Sequence, residues 1–126
     1  MAAVQLAGNY YTKSVALANN SQTVLYTCGT DKELAFDVTG LSVAATSAFA
    51  DTATLERYSV IDNATYTLVY RGPVEADYPL QLEGLPIHMV PGDIIYVTAT
   101  AGATHTLHAH ISGIKTTRTP EPAPKK

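Results

Sequence analysis

Apolar and polar residues alternate along most of the chain, and this pattern predicts short β-strands rather than helices. The alternation is clearest over residues 34–38 and 65–70, where apolar side chains occupy every second position. A period of two places the apolar side chains on one face of a strand. No segment sustains the 3.6-residue period of a capped amphipathic helix. The pattern therefore predicts a chain built of about eight strands.

Turn residues divide these strands. The corner Pro91-Gly92-Asp93 ends one apolar segment and starts the strand Ile94–Thr100, and Asp93 is expected to accept hydrogen bonds from nearby backbone amides. A further strand, Thr104–Ile111, follows across three small residues, which predicts a hairpin between it and Ile94–Thr100. Gly40 interrupts another alternating run, and it predicts either a β-bulge or a strand that changes sheets.

Many short strands with regular turn signals are typical of two packed sheets. The sequence predicts an all-β fold, a two-sheet antiparallel β-sandwich or jelly roll. The expected core is apolar and alternates along the strands: Leu34, Phe36, Val38, Leu68, Ile95, Val97 and Leu107.

Length and composition predict one folded domain that is flanked by an N-terminal arm and a C-terminal tail. The chain of 126 residues is 46% hydrophobic and 15% charged, which is long enough and apolar enough for one folded core. Residues 1–13 are predicted to form an extended N-terminal arm or a first edge strand, and residues 14–114 the β-sandwich. Residues 115–126 hold three alternating prolines, which exclude a helix and predict an extended tail rich in Pro and Lys.

Charge is distributed unevenly between these zones. Residues 14–114 carry three basic and ten acidic side chains, whereas the two ends are basic. An acidic body disfavours nucleic-acid binding, because phosphate neutralisation requires clustered Lys and Arg. No apolar run has the length of a membrane span, and the first residues lack the layout of a signal peptide. Cys28 is the only cysteine, so the sequence predicts no internal disulfide and a chain made in a reducing cytoplasm.

Candidate catalytic and metal-binding groups are sparse. Gly102 is followed by His108 and His110 at the spacing that opens the first cupin metal motif, and both imidazoles would share one strand face. The downstream carboxylate and the second cupin motif are missing, so we expect no metal or cofactor, and we expect the two histidines to lie on a solvent or subunit face opposite Leu107 and Ala109. Cys28 is expected to be a small buried hydrophobe rather than a nucleophile. The sequence thus predicts no enzyme.

The order of motifs resembles the small β-sandwich structural proteins of tailed-bacteriophage virions. The resemblance rests on the polar run Asn19–Gln22, the strand Thr23–Thr27, the segment Leu41–Ala44, the corner and strand Pro91–Val97, and the closing Ile111–Gly113. These proteins include head-decoration (cement) proteins and neck or tail accessory proteins. The resemblance implies a non-enzymatic protein present in many copies, often trimers, at symmetric capsid positions, with terminal arms that clamp neighbouring subunits.

The expected function is therefore capsid decoration on the virion exterior after synthesis in the bacterial cytoplasm, with the major capsid protein or other virion proteins as partners. A homo-oligomer is expected, with a trimer favoured. Neither nucleic acid nor a membrane is expected as a partner. The residues expected at the interface lie in the two ends: Tyr10, Tyr11, Lys13, Lys115, Arg118, Lys125 and Lys126. The alternatives are a carbohydrate- or receptor-binding module of a tail or fibre and, third, a cupin-type metal enzyme.

Overall fold

Eight β-strands make up all the regular secondary structure that the structure describes. A computed structural model describes residues 4–17, 21–29, 33–45, 51–74, 79–100 and 107–120. The strands are β1 (Val4–Leu17), β2 (Gln22–Thr27), β3 (Glu33–Ala45), β4 (Asp51–Ser59), β5 (Ala64–Val74), β6 (Leu80–Met89), β7 (Ile94–Thr100) and β8 (Leu107–Pro120). No helix in the described residues has the length and apolar character to cross a membrane.

The strands form two four-stranded antiparallel sheets. Sheet A has the order β1-β8-β3-β6, and sheet B has the order β2-β7-β4-β5. The chain is in effect one long hairpin rolled into two layers, because β4 pairs with β5, β3 with β6, β2 with β7 and β1 with β8. This is the arrangement of a jelly roll. The predicted all-β fold of two packed antiparallel sheets is confirmed.

One predicted pairing is wrong. The strand Ile94–Thr100 is present as β7, but it does not form a hairpin with β8, because β7 lies in sheet B between β2 and β4 and β8 lies in sheet A between β1 and β3. In a rolled hairpin the connections outside the tip cross from one sheet to the other. Composition of the connecting residues does not distinguish a crossing from a tight turn, since both favour small residues and Gly.

The core lies between the inner faces of the two sheets. Of the predicted core residues, Phe36, Ile95, Val97 and Leu107 are buried, and Val38 and Leu68 are partly buried against the same cluster. Leu34 is an exception, because Glu33 and Ala35 are buried in its place. The register of β3 against β8 shifts between Glu33 and Ala35. A bulge of this kind reverses which residues face the core, and alternation in the sequence cannot show it.

Two glycines serve the central strands of sheet A. The register of β3 shifts between Val38 and Gly40 against both of its neighbours, so Gly40 marks the bulge that was one of the two predicted alternatives. Gly113 on β8 allows close packing, since a Cβ there would lie 2.5 Å from the Asp37 carbonyl oxygen and 2.6 Å from Cζ of Phe36. β8 can therefore lie close to the backbone of β3 and to the Phe36 ring at this point.

The terminal segments differ from the predicted organisation. β1 continues across the predicted boundary at residue 13, and β8 continues across the one at residue 114. The two strands pair without a register shift from Val4 opposite Pro120 to Leu17 opposite Leu107. Residues 4–13 therefore form an edge strand of sheet A, which was one of the two alternatives, and residues 115–120 continue β8 rather than standing apart as a tail. Residues 121–126 lie outside the described part of the chain.

Candidate interaction surface

The turn between β4 and β5 presents the most exposed apolar side chain recorded in the described residues. Ile61 is 77% exposed, and Val60 beside it and Tyr66 on β5 are also exposed. These three residues are here called the hairpin patch. Exposed apolar side chains that are grouped in one hairpin favour binding to another protein, since burying each one removes it from water.

Hydrogen bonds between side chains fix the shape of this turn. The Tyr58 hydroxyl donates to Oδ1 of Asn63 (2.8 Å), and the Tyr66 hydroxyl donates to Oδ2 of Asp62 (3.0 Å). Asn63 has a φ of 49°, the left-handed conformation that Asn tolerates in turns. Because the turn is already held in one conformation, Ile61 is displayed with less ordering cost on binding.

A buried carboxylate supports the hairpin patch from beneath. Asp93 is fully buried, and its Oδ1 accepts the backbone amide of Val60 (2.9 Å) while its Oδ2 accepts the amide of Val90 (3.1 Å). Nη2 of Arg57 donates to the same Oδ2 (3.0 Å) and to the His88 carbonyl oxygen (2.6 Å). The expectation that Asp93 bonds backbone amides is thus confirmed, and one side chain joins the β4–β5 turn to the β6–β7 corner.

The charge state of Asp93 follows from these contacts. Burial by itself would raise the pKa of this carboxyl, but the amides of Val60 and Val90 and the Arg57 guanidinium outweigh burial and lower the pKa below its ordinary value. Asp93 is therefore ionised at neutral pH and has a structural role, because its hydrogen bonds are all made within the protein.

A second exposed region crosses the outer face of sheet A. Tyr10 on β1 is 66% exposed and lies opposite Ile114 on β8, which in turn lies opposite Asp37 on β3. Asp37 is opposite His88 on β6, and its Oδ1 lies 2.5 Å from Nδ1 of that histidine. This set of four residues is here called the outer row. It combines an aromatic and an aliphatic side chain at one end with an exposed polar pair at the other.

The predicted pair Tyr10-Tyr11 is divided between the two faces of β1. Tyr11 points inward, with its ring centroid 5.6 Å from that of Tyr26 and 6.1 Å from that of Phe36. Nζ of Lys115 lies 4.4 Å from the centroid of Tyr11 and 5.8 Å from that of Tyr26. Tyr11 and Lys115, which were expected at an interface, thus pack against residues of their own chain, whereas Tyr10 is exposed.

The remaining predicted interface residues are less informative. Lys13 is half-buried on β1, and Arg118 lies in β8 with only its backbone described. Lys125 and Lys126 lie outside the described residues.

A buried acid lies beside the aromatic cluster. The Glu33 carboxylate accepts the Tyr26 hydroxyl at 2.5 Å and the Gly29 amide at 2.7 Å. Burial, followed by the hydrogen bond to Glu33, raises the pKa of Tyr26 well above its ordinary value. Burial is also the main cause that raises the pKa of the Cys28 thiol to about 12, with the Glu33 charge adding to it. Cys28 is fully buried and remains a neutral thiol at physiological pH, which suits a packing residue and not a nucleophile.

The two histidines of the cupin-like spacing point away from the core. His108 is exposed and His110 is half-exposed on the outer face of sheet A, whereas their neighbours Leu107 and Ala109 are buried. Nδ1 of His110 lies 2.8 Å from the Ser14 hydroxyl on the paired strand. Within the described residues, no three His, Cys, Asp or Glu side chains come together as a metal site would require.

The hairpin patch was missed by sequence reasoning, although a signal was present. Val60 and Ile61 are adjacent apolar residues directly before the polar pair Asp62-Asn63. On a regular strand, neighbouring residues face opposite sides, so the pattern indicated that at least one of the two lies off the core face. No family model and no curated protein matches this chain. Its function must therefore be inferred from its own residues and geometry.

Proposed function

We propose that this chain is a structural component of a bacteriophage virion, most specifically a capsid decoration protein that stabilises the head by bridging capsid subunits. The proposal joins the sequence resemblance to the jelly-roll sandwich and its exposed surfaces. It makes the protein a binding element and not an enzyme, with a site on the capsid exterior and the major capsid protein as its partner.

The observation that carries the proposal is the presence of exposed apolar side chains in two regions on different sheets. The hairpin patch belongs to the β4–β5 hairpin of sheet B, and the outer row belongs to sheet A. A bridging protein needs at least two contact surfaces held in a fixed relation, and a sandwich with a continuous core supplies that rigidity. A specific contact buries about 1,000 Å² or more, so each region would be the centre of a larger interface.

The hairpin patch is the region that suits contact with the capsid. Its turn is fixed by Asp93, Tyr58 and Tyr66, so Ile61 is presented as a preformed apolar knob. Interface energy concentrates in a few well-packed, fully desolvated side chains near the centre of the contact. Many such contacts repeated over a closed shell would add through multivalency even where each is weak.

The test is addition of purified protein to capsids assembled without it, followed by co-sedimentation. Ile61→Ser should weaken attachment roughly tenfold or more, because a buried Ile side chain contributes about 1.5–3 kcal/mol. Tyr70→Ser is the matched control, since Tyr70 is 71% exposed on β5 but lies outside the hairpin patch. Equal loss in both variants would contradict a role for the patch, and absence of attachment by the unaltered chain would contradict capsid decoration. Glycan binding by the isolated protein would favour the carbohydrate-binding alternative.

A further inference from the structure

Two sheets of four strands have four edges, and three of them carry features that discourage pairing with another chain. The edge strand β2 is only six residues long and has a register shift. β5 has register shifts, a φ of 48° at Arg71 and a proline at position 73. β6 contains Glu83 and Pro86. Short length, bulges, charges and prolines are the devices by which proteins protect sheet edges.

The fourth edge, β1, has almost none of these features. It is fourteen residues long and pairs with β8 from end to end without a register shift. It contains no proline, and Lys13 is its only charged residue. Among the described residues β1 pairs with β8 alone, so the backbone groups on its other side have no strand partner. A long, regular and nearly uncharged edge is a template for strand addition.

We propose that the free edge of β1 binds β1 of a second copy of this chain. The two strands run antiparallel about a two-fold axis and join two A sheets into one sheet of eight strands. The inference concerns the isolated protein and does not depend on a role in a virion.

The comparison of the four edges indicates which strand pairs with the free edge of β1. Head-to-tail pairing would need β1 of one copy to meet β2, β5 or β6 of the next, and each of those edges is protected. A two-fold contact uses the same surface on both copies, so it needs only one unprotected edge. Such a contact also closes at two copies and does not propagate into a fibre. The trimer that the sequence resemblance implies would leave the β1 edges without this partner.

The side chains of β1 indicate the register. Lys13 opposite Lys13 would place like charges together, which is unfavourable between paired strands. Tyr10 opposite Tyr10 avoids this, because Lys13 then faces Ala7 of the second copy and the strands overlap over residues 4–16. Tyr10 is 66% exposed and has Ile114 as its cross-strand neighbour on one side only. In this register the two Tyr10 rings meet across the axis on the outer face, as favourable cross-strand aromatic pairs do.

The first test is the mass of the full chain in solution by analytical ultracentrifugation over a concentration series. The expected species is a dimer. Tyr10→Asp should raise the dimer dissociation constant by about tenfold or more, because it places two carboxylates face to face. Tyr70→Asp alters an equally exposed tyrosine on the protected edge β5 and should leave the dimer unchanged. A monomer or a trimer for the unaltered chain would overturn the proposal, and so would equal effects of the two variants.

Cross-linking gives a second measurement that does not depend on a destabilising variant. Tyr10→Cys should give a covalent dimer under mild oxidation, whereas Thr12→Cys should not, since Thr12 faces Gly8 in the proposed register. The native Cys28 is buried and should not contribute. Preferential cross-linking through position 12 would overturn the register, and no cross-linking at either position would overturn the contact itself.

Discussion

Two buried carboxylates, Asp93 and Glu33, are stabilised in different ways in this fold. Asp93 is bound by two backbone amides and the Arg57 guanidinium, so its negative charge has a cationic partner. Glu33 is bound by the Tyr26 hydroxyl and one backbone amide. Among the described residues Glu33 has no ion-pair partner, and Lys115 lies over the rings of Tyr11 and Tyr26.

The difference shows in the neighbours of each acid. The partners of Asp93 lower its own pKa, whereas the charge of Glu33 helps to raise the pKa of Tyr26 and of Cys28. The fold is therefore sensitive to acid at Asp93 and its partners Arg57, Val60 and Val90, here called the Asp93 centre. It is sensitive to alkali at Glu33, Tyr26 and Cys28, here called the Glu33 centre. A carboxylate that is paired with Arg makes stability depend on pH through its own titration. A carboxylate that is bound by neutral donors does so by raising the pKa of those donors.

The largest expected effect comes from removing Asp93. Asp93→Ala should lower the free energy of unfolding by about 3–5 kcal/mol, because it leaves Arg57 without its partner and two amides without an acceptor. Asp93→Asn keeps the shape and one acceptor and should cost less. Urea unfolding followed by tyrosine fluorescence measures both values. A loss below about 1 kcal/mol for Asp93→Ala would show that water replaces the carboxylate without penalty.

Removing Glu33 should have the next largest effect. Glu33→Ala leaves the buried Tyr26 hydroxyl and the Gly29 amide without an acceptor, for an expected loss of about 2–4 kcal/mol. The double variant Glu33→Ala with Tyr26→Phe removes one of these unpaired donors and should recover part of the loss. If the double variant were less stable than additivity predicts, the hydroxyl–carboxylate bond would not be the source of the effect.

Acid should weaken the Asp93 centre. Because the folded-state pKa of Asp93 is lowered, its contribution is complete above about pH 5. It declines as the pH falls below the unfolded-state value of about 3.9 and is gone below the folded-state pKa. The gap in unfolding free energy between the unaltered chain and Asp93→Asn should therefore narrow as the pH is lowered from about 7 to about 2. A constant gap over that range would contradict the proposed charge pairing.

Alkali should weaken the Glu33 centre. The folded-state pKa of Cys28 is raised to about 12, so its contribution is complete below the unfolded-state value of about 8.5 and is lost as the pH rises toward 12. The expected loss is about 2 kcal/mol at about pH 10. Tyr26 adds to the loss above about pH 10. Cys28→Ala should remove the loss of stability that occurs below about pH 10. If the slope of stability against alkaline pH were unchanged in that variant, the loss would come from other groups.

The predictable features of this fold depend on residues that are close in sequence, and the unpredictable ones depend on residues that are far apart. Local patterns were sufficient to predict the strand Ile94–Thr100, the amide-binding role of Asp93 and the outward direction of His108 and His110. Each of these depends on residues close in sequence. The bulge that buries Glu33 in place of Leu34 depends on register against β8, and the sheet membership of β7 and β8 depends on how the whole hairpin is rolled.

The division of Tyr10 from Tyr11 shows the same limit at the candidate surface. Adjacent residues on a strand must face opposite ways, so the sequence implied that only one of them could be exposed. It did not show which, because that choice is fixed by the aromatic partners Tyr26 and Phe36 and by Lys115, which come from other strands.

The smallest expected effect concerns Lys115, the cation that lies over the Tyr11 and Tyr26 rings. Nζ of Lys115 lies 4.4 Å from the centroid of the Tyr11 ring, a distance at which a cation–π contact contributes about 0.5–1 kcal/mol. Lys115→Met keeps the length and the apolar stem while removing the charge, so it isolates this contact from packing. Lys13→Met is the matched control, because Lys13 is also half-buried but has no recorded aromatic partner, and its effect should stay within about 0.5 kcal/mol. The Lys115 charge also lowers the pKa of Cys28, so Lys115→Met should extend the alkaline loss to higher pH. Suppose that Lys115→Met is neutral in stability and leaves the alkaline profile unchanged. Lys115 would then be a cation without influence on the Glu33 centre, and only the Asp93 centre would have a cation that contributes to stability.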